Sequence, residues 1–187
     1  MKKTNKLMQI FKRANLIILL SIFMIIGVAF VGGEKSLPVS LNSIDTVTVA
    51  DPPSIQMYYY IEKYAKEYDI PINYAYGIAY KESRYGGPWQ WSYNHKLTSK
   101  AGALGPMQII PSTAAFINDE KVTKAMKFKL KNDIEYNVRT SMKLLRYLRD
   151  HYDTWKEAIG CYNTGSPIVN KYAMSVYKYK PEWNTEL

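Results

Sequence analysis

Apolar residues recur at helical spacing directly after residue 53. Met57, Ile61, Ala65 and Tyr68 lie on one side of a helix, and Ser54 precedes them in a position suited to an N-terminal cap. The pattern breaks at residue 69. It therefore predicts an amphipathic helix that begins at Ser54 and ends just before that break.

The same spacing predicts five further helices. They cover residues 71–85, 111–117, 137–152, 155–162 and 168–179, and glycine or proline stands at most of the breaks between them. Residues 89–100, which are rich in aromatic and polar side chains, are predicted to form a loop. No alternating run is long enough for a sheet and no repeat is present, so we expect an all-α or mainly α domain of six or seven helices.

An uncharged apolar run occupies residues 16–31 and follows five basic residues with no acidic one among them. This arrangement is typical of an export signal or of a membrane anchor whose amino terminus stays inside. The run is slightly long for a signal and slightly short for a span, so both alternatives stay open, and a buried core helix is a third. We expect residues 1–33 to be the signal peptide or anchor helix, residues 34–53 a linker, and residues 54–187 the folded domain.

The net charge of +9 is unevenly distributed along the chain. The five basic residues before residue 34 belong to the export pattern, and the rest of the chain carries only +4, so nucleic acid is not an expected partner. A single cysteine and two histidines exclude a disulfide framework and leave little for a metal cluster. We therefore expect no metal and no cofactor, and chemistry based on carboxylates, hydroxyls, amides or aromatic rings.

Glu82 is the first candidate for that chemistry. It lies on the same side of its helix as Ile78 and Ala79, the side that should face the core. Burial and the negative end of the helix would both raise the pKa of its carboxyl. A carboxylic acid that stays protonated near neutral pH suits a general acid. The alternative is a glutamate at a helix end, paired with Lys81 or Arg84.

A second candidate lies in residues 99–114, which begin with Ser99. The glycines of this segment let backbone approach a ligand or another segment closely. Gln108 is a lone amide among apolar neighbours and must find a hydrogen-bond partner, which a substrate amide or hydroxyl could provide. The alternative is a tight interhelical turn in which Gln108 caps a backbone group.

A third candidate lies in residues 158–165, where Tyr162 and Asn163 fall at the end of a helix. Together they could orient an acid or bind the N-acetyl group of a sugar. The alternative is a simple helix stop, because Gly165 is available for a positive φ. Cys161 is most simply a small buried apolar residue.

In this order, the three segments resemble the catalytic domain of the soluble lytic transglycosylases, relatives of goose-type lysozyme. The family pattern is a helix ending in Glu-Ser, then Ser-x-x-Gly-Ala-x-Gly-Leu-Met-Gln-x-x-Pro-x-Thr-Ala, an asparagine that starts a helix, and Ala-x-x-x-Tyr-Asn-x-Gly. The matching positions here are residues 82–83, 99–114, Asn137 and 158–165. The resemblance covers residues 70–177. The sequence departs from the family pattern at Pro106, at residues 160–161 and in residues 84–91. These differences bear on the shape of the sugar-binding subsites.

The resemblance implies a lysozyme-like helical fold and the family's catalytic residues. Glu82 becomes the single catalytic acid and base. Asn137 is implied to be structural, heading the long helix. Four polar residues match positions that line the family's sugar-binding cleft: Ser99, Gln108, Tyr162 and Asn163.

The implied reaction cleaves the β-1,4 bond between N-acetylmuramic acid and N-acetylglucosamine in peptidoglycan. Glu82 would protonate the bridging oxygen, and later take the proton from the muramyl 6-hydroxyl as it closes on C1 to give a 1,6-anhydro end. One alternative is hydrolysis, for which Asp119, Glu120, Asp133 or Glu135 is available as a second carboxylate. Another is a non-catalytic wall-binding or envelope scaffold.

Two surface features leave their partners open. Trp89, Trp91 and Tyr93 could stack on sugar rings or cover the core. Lysines between residues 121 and 131 form a basic strip that is either a solvated face or a contact with the anionic wall or membrane.

The expected partners are peptidoglycan strands and, through residues 1–33, the membrane. A secretion, conjugation or phage-entry assembly that spans the envelope stays open as a further partner. We expect an exported protein, either anchored and facing the wall or secreted after cleavage.

Overall fold

The computed structural model describes residues 46–183. Seven α-helices occupy that range, and the only β-pairing in it is two isolated bridges that join Leu104 to Thr98 and to Ile109. The helices are α1 (Pro53–Glu67), α2 (Ile72–Ser83), α3 (Pro111–Asn118), α4 (Lys124–Asn132), α5 (Ile134–His151), α6 (Trp155–Thr164) and α7 (Lys171–Tyr177). The prediction of a mainly helical domain with six or seven helices is confirmed.

The predicted signal or anchor in residues 1–33, and most of the predicted linker, lie outside the described residues. Within residues 46–183, no helix combines the length and the apolar composition that a membrane span requires.

The central element of the fold is α5. Ten of its 18 residues are buried, and they include Met142, Leu145 and Leu148. Four helices, α1, α3, α4 and α6, pack around it, and α7 packs against α2 and α6. Because apolar side chains from every surrounding helix leave water on contact with α5, this helix fixes the positions of the others.

Capping side chains set the bounds of α5 and α6. α5 begins at Ile134, three residues before its predicted start, because Asp133 accepts a hydrogen bond from the backbone N–H of Tyr136. Asn137 therefore lies inside this helix and does not head it. α6 extends two residues beyond its predicted end, and Gly165 stops it with a φ of 72°, as predicted.

The first two helices also differ from their predicted bounds. α1 begins at Pro53 and has no side-chain cap, so the predicted cap at Ser54 is wrong. Ser54 is buried, and its carbonyl accepts a hydrogen bond from the Tyr85 hydroxyl at 2.9 Å. α2 ends at Ser83, before the predicted end, because Arg84 takes the left-handed conformation with a φ of 59°.

The bounds of α4, in the basic strip, and of α7, near the carboxyl end, are set more by capping side chains than by apolar spacing. α4 is absent from the prediction because only Met126 and Leu130 in it face the core. Thr123 caps it by accepting from the Met126 N–H at 3.1 Å. α7 is shorter than predicted, since Asn170 caps its start by accepting from the Ala173 N–H at 2.9 Å.

Candidate active site

A cavity of about 170 Å³ brings together the residues singled out from the sequence. Its wall is formed by the end of α2, the loop of residues 99–110, the start of α3, the end of α6, and Leu144 of α5. A cavity of this size has room for several water molecules, and its lining includes polar side chains. Among its lining residues are all five predicted site residues, Glu82, Ser99, Gln108, Tyr162 and Asn163.

Glu82 lies in the last turn of α2 and is partly buried. Burial raises the pKa of its carboxyl to about 7, and a hydrogen bond from the Tyr172 hydroxyl, 2.5 Å from Oε1, acts in the opposite direction. No ion pair joins Glu82 to Lys81 or Arg84 within residues 46–183. The structure therefore excludes the alternative of a paired glutamate at a helix end.

Tyr172 is a site residue that the sequence analysis missed. It lies in α7, and its hydroxyl donates to Glu82 Oε1. Burial, and secondly the nearby Glu82 carboxylate, raise the pKa of Tyr172 well above its usual value, so it remains a donor at neutral pH. The available signal was that a buried tyrosine needs a hydrogen-bond partner, but the chain contains 17 tyrosines and nothing in the sequence separated this one.

Tyr162 holds the cavity wall together. Its hydroxyl donates to the Met107 carbonyl at 2.7 Å and pairs with Ser141 Oγ at 2.8 Å, which ties α6 to α5 and to the loop. No hydrogen bond joins Tyr162 to Glu82 in the described part of the chain. The hydroxyl that contacts the Glu82 carboxyl is instead that of Tyr172.

Gln108 stands at a sharp bend of the loop. Leu104 and Ile109 exchange two backbone hydrogen bonds of 3.0 and 3.1 Å around it. Gln108 takes a φ of 51°, and its Nε2 donates to the Gly105 carbonyl at 2.7 Å, so it does cap a backbone group. Its Oε1 has no donor among the described residues and remains available to a ligand.

Ser99 and Asn163 both have part of their hydrogen-bonding capacity used by the protein. Ser99 Oγ accepts from the Ala103 N–H at 3.0 Å, which closes the turn at that side of the cavity. Asn163 Oδ1 accepts from Asn170 Nδ2 at 3.4 Å. The Nδ2 group of Asn163 has no acceptor within residues 46–183, so it can donate to a ligand.

Asn137 supports the loop from the core. Its Oδ1 accepts from the Met107 N–H at 2.8 Å, and its Nδ2 donates to the carbonyls of Leu104 and Leu130 at 2.9 Å each. A Cβ atom on Gly105 would lie 2.5 Å from that Nδ2 and 2.1 Å from the Leu130 oxygen. Glycine is therefore required at residue 105, and the contacts of Asn137 are those of a structural residue.

No carboxylate other than Glu82 lines the cavity among the described residues. The four acids considered for hydrolysis lie elsewhere. Glu120, Asp133 and Glu135 accept hydrogen bonds from residues in or beside α5 and α1. Asp119 follows the last residue of α3 in the left-handed conformation.

The aromatic residues of the loop after α2 fall into two groups. Tyr93 is buried, and its hydroxyl pairs with Ser83 Oγ at 2.6 Å, so it covers the core. Trp89 and Trp91 are exposed, with ring centroids 5.9 Å apart, and neither lines the cavity.

A family model described as a transglycosylase SLT domain matches residues 59–184, more than half of the chain. The matched range contains every residue that lines the cavity, together with Tyr172 and Asn137. No solved structure matches the chain.

Proposed function

Because the chain belongs to the transglycosylase SLT domain family, we propose that it is a peptidoglycan lytic transglycosylase with Glu82 as its catalytic acid and base. It cleaves the β-1,4 bond between N-acetylmuramic acid and N-acetylglucosamine and leaves 1,6-anhydro ends. The observation that carries this proposal is the position of Glu82, a carboxyl with a pKa of about 7 in the wall of the cavity.

In the first step Glu82 acts as the acid. A carboxyl with a pKa of about 7 holds a proton in about half of the molecules at neutral pH, which suits proton transfer to the bridging oxygen. The Tyr172 hydroxyl holds Oε1, and this leaves Oε2 to face the substrate. Tyr172 is thus a positioning residue, since it acts through the carboxyl.

In the second step Glu82 acts as the base. The 2-acetamido group of the muramyl sugar stabilises the oxocarbenium-like centre. The Glu82 carboxylate then takes the proton of the 6-hydroxyl while the oxygen of that hydroxyl bonds to C1. No water is consumed. Most glycosidases use a pair of carboxylates about 5–10 Å apart. Only one carboxylate lines the cavity among the described residues. This favours attack on C1 by the sugar's own 6-hydroxyl over hydrolysis.

The remaining polar groups of the cavity bind the sugar. Gln108 Oε1 accepts the acetamido N–H, and Asn163 Nδ2 donates to a carbonyl or hydroxyl oxygen, since both atoms lack partners within the described residues. Ser99 and the ring of Tyr162 complete the wall. Because the substrate lies outside the cytoplasmic membrane, the proposal includes export directed by residues 1–33 and a role in wall remodelling or local wall opening.

The decisive experiment is mass spectrometry of purified peptidoglycan after digestion by the full chain in detergent. Glu82→Gln is the test variant and Glu67→Gln, which changes an exposed glutamate of α1, is the matched control. We expect anhydro-muropeptides, one water lighter than hydrolysis products, from the wild type and the control. We expect Glu82→Gln to retain the fold and glycan binding but to lose turnover, by about two to four orders of magnitude.

Three other outcomes contradict parts of the proposal. Substantial activity of Glu82→Gln removes Glu82 from the mechanism. Hydrated reducing ends make the protein a hydrolase. Absence of any product, with glycan binding preserved, makes it a wall-binding scaffold.

A further inference from the structure

The outer face of α4 combines an exposed aromatic ring with lysines. Met126 and Leu130 face the core, and Phe128 lies between them on the opposite side of the helix, where it is 68% exposed. Val122, just before the helix, is 48% exposed. We define the α4 surface as these two apolar residues together with the lysines at positions 121, 124, 127 and 131.

The charge of the α4 surface has one sign. No acidic residue occurs in residues 121–132, and none of the four lysines forms an ion pair with a described residue. Three acids flank the segment in sequence: Glu120 accepts from the Tyr136 hydroxyl, Asp133 caps α5, and Asp119 is exposed at the left-handed end of α3. Lys129 turns away from this face and lies over the Tyr136 ring. The surface is therefore free to meet an extended anionic partner.

We propose that the α4 surface docks the folded domain on an anionic lipid membrane. The lysines alone would suit any polyanion, including an anionic wall polymer. Phe128 and Val122 distinguish the two, because an apolar side chain gains free energy only where it leaves water, as it does at the boundary between lipid headgroups and acyl chains. A basic face that also exposes apolar side chains is what such a surface requires.

Docking through the α4 surface leaves the cavity open. None of the residues of this surface lines the cavity, and the helices against which α4 packs are α3 and α5. The proposal is therefore independent of the enzymatic activity, and it applies whether residues 1–33 anchor the chain or are removed.

The test places a probe at Phe128. The full chain carries Cys161→Ala, which removes the buried native thiol. An environment-sensitive fluorophore is then attached to the cysteine of Phe128→Cys. Lys178→Cys, an exposed position just after α7, serves as the matched control. The labelled chains are reconstituted in vesicles of phosphatidylcholine, with or without phosphatidylglycerol, and quenching by brominated lipid is measured. A probe at Val122→Cys provides an independent reading should the label at 128 disturb α4.

We expect a blue shift and quenching at residues 128 and 122 in anionic vesicles, and neither at residue 178 nor in neutral vesicles. Exchanging Lys124, Lys127 and Lys131 for glutamine should lower the ratio of docked to free domain roughly fivefold per lysine. Raising the salt concentration from about 0.1 M to about 1 M, which shortens the screening length from about 10 Å to about 3 Å, should release the probe.

Each contrary outcome overturns the proposal. An unchanged probe at residues 128 and 122 in anionic vesicles shows that the surface does not meet lipid. An equal response to a soluble polyanion or to purified wall identifies a polymer as the partner. Equal quenching at residues 128 and 178 shows that the whole domain collapses on the vesicle without using α4.

Discussion

At the residue scale, the properties of the Glu82 carboxyl reflect two opposing influences. Burial favours the neutral form, while the hydrogen bond from Tyr172 favours the carboxylate, and burial is the larger of the two because the pKa reaches about 7. The same contact also fixes the direction of the carboxyl, since Tyr172 reaches it from a separate helix. The balance lets one group give up a proton and later take one near neutral pH.

Tyr172→Phe should therefore move the pH dependence of catalysis as well as lower its rate. In the proposed mechanism the protonated acid is the active form, so turnover should be fully present below the pKa of Glu82 and lost as the pH rises through it. Removal of a contact that lowers this pKa shifts the alkaline limb of the profile above its wild-type position near pH 7. Turnover measured from pH 4 to pH 10 checks the shift.

The control for this prediction is Tyr147→Phe, which removes a hydroxyl that has no hydrogen bond among the described residues and lies outside the cavity. Its profile should match that of the wild type. A Tyr172→Phe profile that drops in height but keeps the same alkaline limb would show that Tyr172 supports packing alone.

At the scale of elements, close backbone contacts decide where α6 can lie. Gly160 lies within this helix, and a Cβ atom added to it would be 2.1 Å from the Ile168 carbonyl oxygen in the segment that leads to α7. That segment, in turn, leads to the cap of the helix that carries Tyr172. The glycine, which stands where the resembled family commonly has alanine, thus allows α7 to approach α6 and Tyr172 to reach Glu82.

Gly160→Ala should destabilise the fold, although alanine is ordinarily the better helix former. Replacing glycine by alanine inside a helix usually raises the free energy of unfolding by about 1 kcal/mol. Here we expect it to fall by about 1–3 kcal/mol, because the backbone must move to admit the methyl group. Urea denaturation followed by circular dichroism measures the change. In the control, Gly77→Ala in α2, the nearest atom lies at 3.0 Å and the effect should be smaller. A Gly160→Ala variant as stable as the wild type would contradict the close contact.

The periodicity of apolar residues predicted most of the helices, and the order of the motifs predicted which polar residues line the cavity. Six of the seven helices begin within three residues of their predicted start; the largest differences are α5, three residues early, and α7, three residues late. α4 was missed because lysine dominates it, and the start of α5 was misplaced because Asp133 sets it through a cap. The Tyr172 contact depends on the docking of α7, which is a tertiary contact that no local pattern in the sequence records.

At the scale of the whole molecule, the core and the cavity lie within one contiguous part of the chain. The buried core runs from Ile55 to Val176, and every residue lining the cavity falls within that interval. The apolar run of residues 16–31 is separated from this part by the predicted linker. The described residues therefore contain both the buried core and the proposed active site, and residues 1–33 are expected to act on location.

A chain that lacks residues 1–33 should keep the turnover of the full chain on purified peptidoglycan. The physical reason is that no lining residue is lost. Rates of anhydro-muropeptide release from the two proteins provide the comparison, and circular dichroism verifies the fold of the shorter one. A folded truncation without activity would show that the amino-terminal residues do more than localise the enzyme.

The three hydrogen bonds of Asn137 have a consequence for how the protein loses function on heating. They join α5 to two points of the cavity loop and to the end of α4, so opening of the loop must break buried hydrogen bonds to the central helix. We expect the amide hydrogens of residues 104, 105 and 107–109 to exchange only through global opening. Heat inactivation should then coincide with melting, without a folded but inactive intermediate.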